Sequence, residues 1–158
     1  MTQQEAQDQL TILKRRNAEE KTMIADVYST EKHRIESERN HAMRRIEERI
    51  KNARIAMSLA ADKKHQARGK ENWSVCVQEY EEKRLAFVST QRELSEMNVY
   101  YQGVFRELLD KRDSNLRRLA QGYGKDYAEI MSKVNRPNTE ETVSYWRHKY
   151  HAVLEELK

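Results

Sequence analysis

The sequence predicts an all-α fold: a long antiparallel helical hairpin of coiled-coil type, then a short C-terminal amphipathic helix, with hairpins assembled into an oligomeric bundle. Three observations lead there. The 158 residues hold one proline and four glycines, and 35% of them are charged; an ordinary globular chain is about 25% charged and richer in both helix breakers. Apolar residues return every eleven or seven positions, which are periods of long helices and not of strands. Finally, Gly69 is the only glycine among the first hundred residues, in the polar stretch Ala67-Arg68-Gly69-Lys70-Glu71-Asn72. Basic and acidic residues nearly cancel, leaving +4. With the apolar residues periodic as well, the high charge does not read as disorder.

Residues 3–67 contain neither Gly nor Pro. Leu13, Ile24, Ile35, Ile46 and Met57 are spaced by eleven. Asn17, Tyr28, Arg39, Ile50 and Ala61 form a second such row, and Glu20, Glu31, Ala42, Ala53 and Lys64 a third. Eleven residues in three turns lie close to the relaxed helix, so this seam runs nearly straight. It is thin, and such a helix needs a partner with larger side chains. Ala42, Ala53, Ala56, Ala60 and Ala61 leave room for bulk opposite.

Residues 72–134 supply that bulk. Asn72 is placed to cap a helix beginning at Trp73. Trp73, Tyr80, Phe87, Leu94, Tyr101 and Leu108 repeat by seven, with a weaker companion row in Val77, Arg84, Gln91, Asn98, Phe105, Arg112 and Leu119. Further along, spacing by eleven returns in Leu94, Phe105, Leu116 and Tyr127, and in Leu108, Leu119 and Ile130. Of the aromatic residues only Tyr28 precedes Trp73. Large side chains on one helix opposite small ones on the other is how unlike helices interdigitate. Stacking of nucleic-acid bases on these rings is the lesser reading, because their spacing is that of a core. Gly122-Tyr123-Gly124 lowers helix stability by up to about 1 kcal/mol per glycine and predicts a kink or frayed turn.

Asn135-Arg136-Pro137-Asn138 is the strongest break, since proline disfavours helical geometry at the residue before it. Asn138 and Glu141 then have capping-box spacing. Val143, Trp146, Tyr150, Val153 and Leu157 form one apolar face. So short a helix is marginal alone and must dock. The predicted division is residues 1–135 as the hairpin, turning near 68–72, and residues 136–158 as a capping or docking helix.

Charge bears on orientation. Residues 44–70 carry nine basic and three acidic side chains, a net +6; residues 71–96 carry three and six, a net −3. Folding back sets these segments side by side, with Ile46 near Glu93 and Met57 near Glu82. A parallel in-register dimer would set like charges together. An antiparallel dimer of straight rods satisfies the charges equally well. The near-equal lengths of the two runs, each roughly 95 Å as helix, favour the hairpin.

No nucleophile with a neighbouring base, phosphate cradle or Cys/His cluster is present, so an enzyme is the class least supported, and neither cofactor nor metal is expected. His148, His151 and Glu155 share a side of the last helix and read as a solvated polar face. The lone Cys76 argues against a disulfide framework and points to a reducing compartment: cytoplasm, cytoskeleton or nucleus. No apolar run is long enough to span a membrane, and no signal-peptide pattern opens the chain.

The leading expectation is a scaffold or assembly protein working by self-association and docking to protein partners. Its docking or oligomer face would comprise Trp73, Tyr80, Phe87, Tyr101, Phe105, Trp146 and Tyr150, residue types that dominate interfaces. The second is a basic rod for an acidic polymer such as a microtubule, nucleic acid or anionic membrane. It would bind near the hairpin tip through Arg44, Arg45, Arg49, Lys51, Arg54, Lys63, Lys64, Arg68 and Lys70. The third is a stalk or adaptor subunit: a basic two-helix hairpin of this size looks like the stalk proteins of flagellar and type III export apparatus, in architecture and without a shared motif.

Overall fold

A computed structural model describes residues 1–134 and 140–157, with side chains described from Trp146 onward in the second stretch. It contains three helices, α1 (Gln3–Gln66), α2 (Trp73–Ser132) and α3 (Glu140–Glu156), and no strand among the described residues. The Asn135-Arg136-Pro137-Asn138 break and the side chains of Glu141 and Val143 lie outside the described residues.

α1 and α2 pack as an antiparallel hairpin within one chain. Cross-helix contacts run in opposite directions along the two helices: Arg39 to Phe105, Arg49 to Glu93, Arg54 to Phe87, Lys64 to Tyr80. The fold-back falls where the lone glycine stands. Gly69 has φ +79°, the only positive φ among the described residues. Other L-residues meet a steric penalty there that glycine avoids. Ala67 N–H still donates to the Lys63 carbonyl, and Lys70 N–H then donates to the Ala67 carbonyl, closing the turn at 2.9 Å. Ala67 is buried under it. Cys76 N–H bonds the Asn72 carbonyl at 3.1 Å, which makes Asn72 the residue at the helix entrance. At the start of α1, Glu5 N–H donates to Thr2 Oγ1 and Thr2 N–H donates to Glu5 Oε2, a reciprocal capping box.

The eleven-residue rows of α1 form its inner face: every member except Glu20 is buried or half-buried. In α2 the seven-residue row Tyr80, Phe87, Leu94, Tyr101, Leu108 is inside, while Trp73 at its head stays 36% exposed. The companion row departs from expectation. Arg84, Gln91 and Asn98 are exposed, and burial falls one residue earlier, on Cys76, Thr90, Met97 and Val104. Thr90 is buried because its hydroxyl donates to the Ala86 carbonyl at 2.8 Å, leaving the methyl for the seam. From Phe105 onward the eleven-residue rows resume, all buried or half-buried.

The chain gathers into two compact units, one of residues 32–107 and one of residues 1–31 with 108–158, a division that cuts across both long helices. In the first, two helices share one seam built on Ile35, Ile46, Ala60, Cys76, Thr90 and Tyr101. In the second, α3 joins α1 and α2. Leu10, Leu13, Tyr123, Tyr127 and Trp146 form a buried cluster, flanked by Ile130, Met131, Tyr150, Val153 and Leu157. α2 runs through Gly122-Tyr123-Gly124 without a break, contrary to the frayed turn the glycines suggest. The reason is packing: Tyr123 is buried in this cluster, and Leu154 Cδ2 lies 3.4 Å from where a Cβ on Gly124 would sit. Lys149 Nζ donates to Gln7 Oε1 at 3.4 Å, tying α3 to α1.

Candidate interaction surfaces

The two sets of site residues read from the sequence meet each other. In the 32–107 unit the Arg54 guanidinium carbon lies 5.7 Å from the Phe87 ring centre, and Lys64 Nζ lies 4.6 Å from that of Tyr80. Arg39 covers Phe105 in the same way at 5.4 Å. Long basic side chains laid along rings bury apolar stem on apolar ring and keep the charge in water. Arg49 grips Glu93 through both nitrogens, at 2.6 and 3.3 Å, and Lys63 reaches Glu79 at 3.9 Å. These pairs are largely exposed and each contributes only tenths of a kcal/mol. They do join the basic part of α1 to the acidic part of α2, as the charge pattern anticipated.

Of the nine basic candidates, Arg49, Arg54, Lys63 and Lys64 are therefore engaged within the chain. Arg44, Arg45, Lys51, Arg68 and Lys70 are exposed and carry no ion pair or side-chain hydrogen bond among the described residues. They spread over more than six turns of α1 and the turn beyond it instead of forming one cluster.

The aromatic candidates lie inside. Tyr101 and Trp146 are buried, Tyr80, Phe87, Phe105 and Tyr150 are half-buried, and Trp73 alone is exposed. Tyr150 packs on Tyr127 with ring centres 5.2 Å apart. Burial foremost, then the nearby Glu38 charge, pushes the titration of Tyr101 above the ordinary tyrosine value. Tyr123 is raised too, by burial and then by Glu156. Tyr80, Phe87 and Phe105 are thus partly covered by α1's own cations, while in the other unit Trp146 and Tyr150 of α3 pack into the buried cluster.

What remains outside is mostly aliphatic, and no sequence row flagged it. Ile12, Met23 and Val27 are exposed on α1, as are Ile55 and Leu59; on α2 the exposed residues include Leu85, Val88, Val99 and Tyr100. Ile55 and Leu59 are four apart, and Leu85, Val88 and Val99 stand at steps of three and eleven, so each set shares a helix side. The signal lay in the sequence as a second apolar stripe opposite the first.

A groove of about 530 Å³ runs between α2 and α3, lined among others by Gly124, Ala128, Tyr150, Leu154 and Leu157. His148, His151 and Glu155 are exposed on α3, and among the described residues no three metal-ligating side chains come together. No helix among the described residues is long and apolar enough to cross a membrane. No family model matches the chain, and no curated protein or solved structure matches it either.

Proposed function

We propose that this chain is a non-enzymatic coiled-coil scaffold or assembly element that works by self-association and by docking to other proteins. The observation that carries this reading is the set of large apolar residues left outside an inner seam that is already occupied. Leu85, Val99 and Leu59 are each more than half exposed, on helices whose inner-face rings Tyr80, Phe87 and Phe105 are already met by cations of the same chain. Apolar surface at helical spacing is what an α-helical partner covers. The test is the mass of the particle in solution by light scattering across a concentration series. A mass that grows from one chain to two or more supports self-association, and a single-chain mass at every concentration refutes it.

A second reading rests on a separate observation. The exposed cations Arg44, Arg45, Lys51, Arg68 and Lys70 have no ion-pair partner among the described residues, and a polyanion is the chemistry they would take. Retention on a polyanion column at low salt, lost as salt rises, supports it. Flow-through at low salt removes it.

A further inference from the structure

The outer side of α2 between residues 81 and 106 has features that the hairpin itself does not use. Leu85, Val88, Arg92, Glu96, Val99 and Gly103 follow one another by steps of three and four, which sets them on one side of the helix. All are exposed, Leu85 by 57% and Val99 by 68%. Arg92 and Glu96 take part in no ion pair or side-chain hydrogen bond among the described residues. Gly103 is interior to α2, where glycine weakens a helix, and nothing lies within 4 Å of where its Cβ would be. Its missing side chain thus serves no contact within the chain, and it leaves bare backbone that another helix can approach closely.

We propose that this side of α2 is the seam of an antiparallel homodimer, with a two-fold axis between Arg92 and Glu96. This rests on the self-association reading above and specifies its interface. The occupant follows from charge and size. In that register Arg92 of each copy faces Glu96 of the other, and Glu81 faces Arg106 on one flank. Val88 meets Val99, and Leu85 lies over Gly103, a large side chain against a gap. At the other rim Glu82 faces Glu107, a solvated like-charge pair that salt screens. A parallel in-register pairing sets Arg92 on Arg92 and Glu96 on Glu96, so the same charges select the antiparallel arrangement. Residues 81–106 span roughly 39 Å of helix, and the two-fold axis uses every contact twice.

The experiment is mass measurement by light scattering on the full chain across a concentration series, with circular dichroism to confirm that each variant keeps its helix. Leu85→Asp is expected to raise the dimer dissociation constant by about tenfold or more, because each dimer loses two apolar contacts and gains two buried carboxylates. Arg92→Glu is expected to weaken the dimer about threefold to tenfold, by setting Glu on Glu across the axis. The double exchange Arg92→Glu with Glu96→Arg is expected to restore it to within about threefold. A dimer that persists unchanged in Leu85→Asp overturns this interface and leaves self-association standing. Failure of the double exchange to rescue Arg92→Glu overturns the antiparallel register. A wild-type chain that stays monomeric at every concentration overturns the interface and self-association together.

Discussion

In residues 32–107 two helices share a single seam, and its buried members include Ala60, Cys76 and Thr90. In the other unit a third helix is added, and the buried cluster consists of two leucines, two tyrosines and a tryptophan. The contrast shows how much a third helix changes. Tyr127 becomes 2% exposed because side chains from α1 and α3 both reach it. In the two-helix unit no ring is so enclosed, and cations from α1 take the place of a third helix by lying over Phe87, Tyr80 and Phe105. A two-helix pair also has two outer sides that nothing in the chain covers, and Leu59, Leu85 and Val99 are found there. The richer unit leaves apolar residues outside as well, Ile12, Met23 and Val27 among them, but the two-helix unit has no third helix to enlarge its core.

The largest expected effect tests the richer core. Trp146→Ala removes the ring that joins α3 to the cluster and should cost about 3–5 kcal/mol in its own unit. Hydrogen exchange should then rise in residues 1–31 and 108–134 while residues 32–107 keep their protection; equal loss in both would erase the contrast. Ile46→Ala is the matching change in the thin seam and should cost about 2 kcal/mol, because a cavity there collapses or floods readily. Denaturant midpoints compare the two directly.

Gly69→Ala should destabilise by about 1–2 kcal/mol, since alanine is strained at φ +79° even though no neighbour obstructs its Cβ. A gain in melting temperature would mean that the turn does not hold that conformation. Alkaline pH should have a smaller effect on both units. Tyr101 and Tyr123 titrate above their ordinary value near 10, so the native state holds these protons more tightly than the unfolded chain does. Their contribution is fully present below that ordinary value and is lost as pH climbs through the raised native one. Melting midpoints at neutral and strongly alkaline pH should therefore diverge, and Tyr101→Phe should narrow the gap. The smallest effect belongs to Arg49→Gln. Arg49 and Glu93 side chains are 57% and 41% exposed, so removing the pair should cost about 0.5 kcal/mol or less and nothing measurable at high salt.

Much of this architecture was legible in the residues. Helix content, the position of the turn and the inner face of α1 follow from the scarcity of Gly and Pro and from the eleven-residue rows, because periodic burial leaves periodic composition. The capping box of Thr2 and Glu5 emerged only from the structure, since it is a local signal that apolar spacing does not carry. The companion row of α2 was not legible. Thr90 looks polar and is buried, while Asn98 and Gln91 stay outside; the Thr90 hydroxyl bonds back to its own helix, and the larger carboxamides of the other two stay in water. The covering of the aromatic rings was hidden for a similar reason. Arg54 and Lys64 read as free charge until Phe87 and Tyr80 are placed beneath them.

The sequence by itself determined that the chain is helical, that Gly69 is the place where a reversal would fall, and that one helical run carries small residues and the other large ones. These are local or periodic properties, carried by backbone preference and by apolar spacing. Only the tertiary structure decided that the two runs pair within one chain, and where the surplus lies. It set basic side chains over rings, enclosed Trp146 and Tyr127 together, and turned Leu85, Val99 and Gly103 outward. Those outcomes depend on the rotation of each helix about its own axis against its neighbour, which no single helix contains.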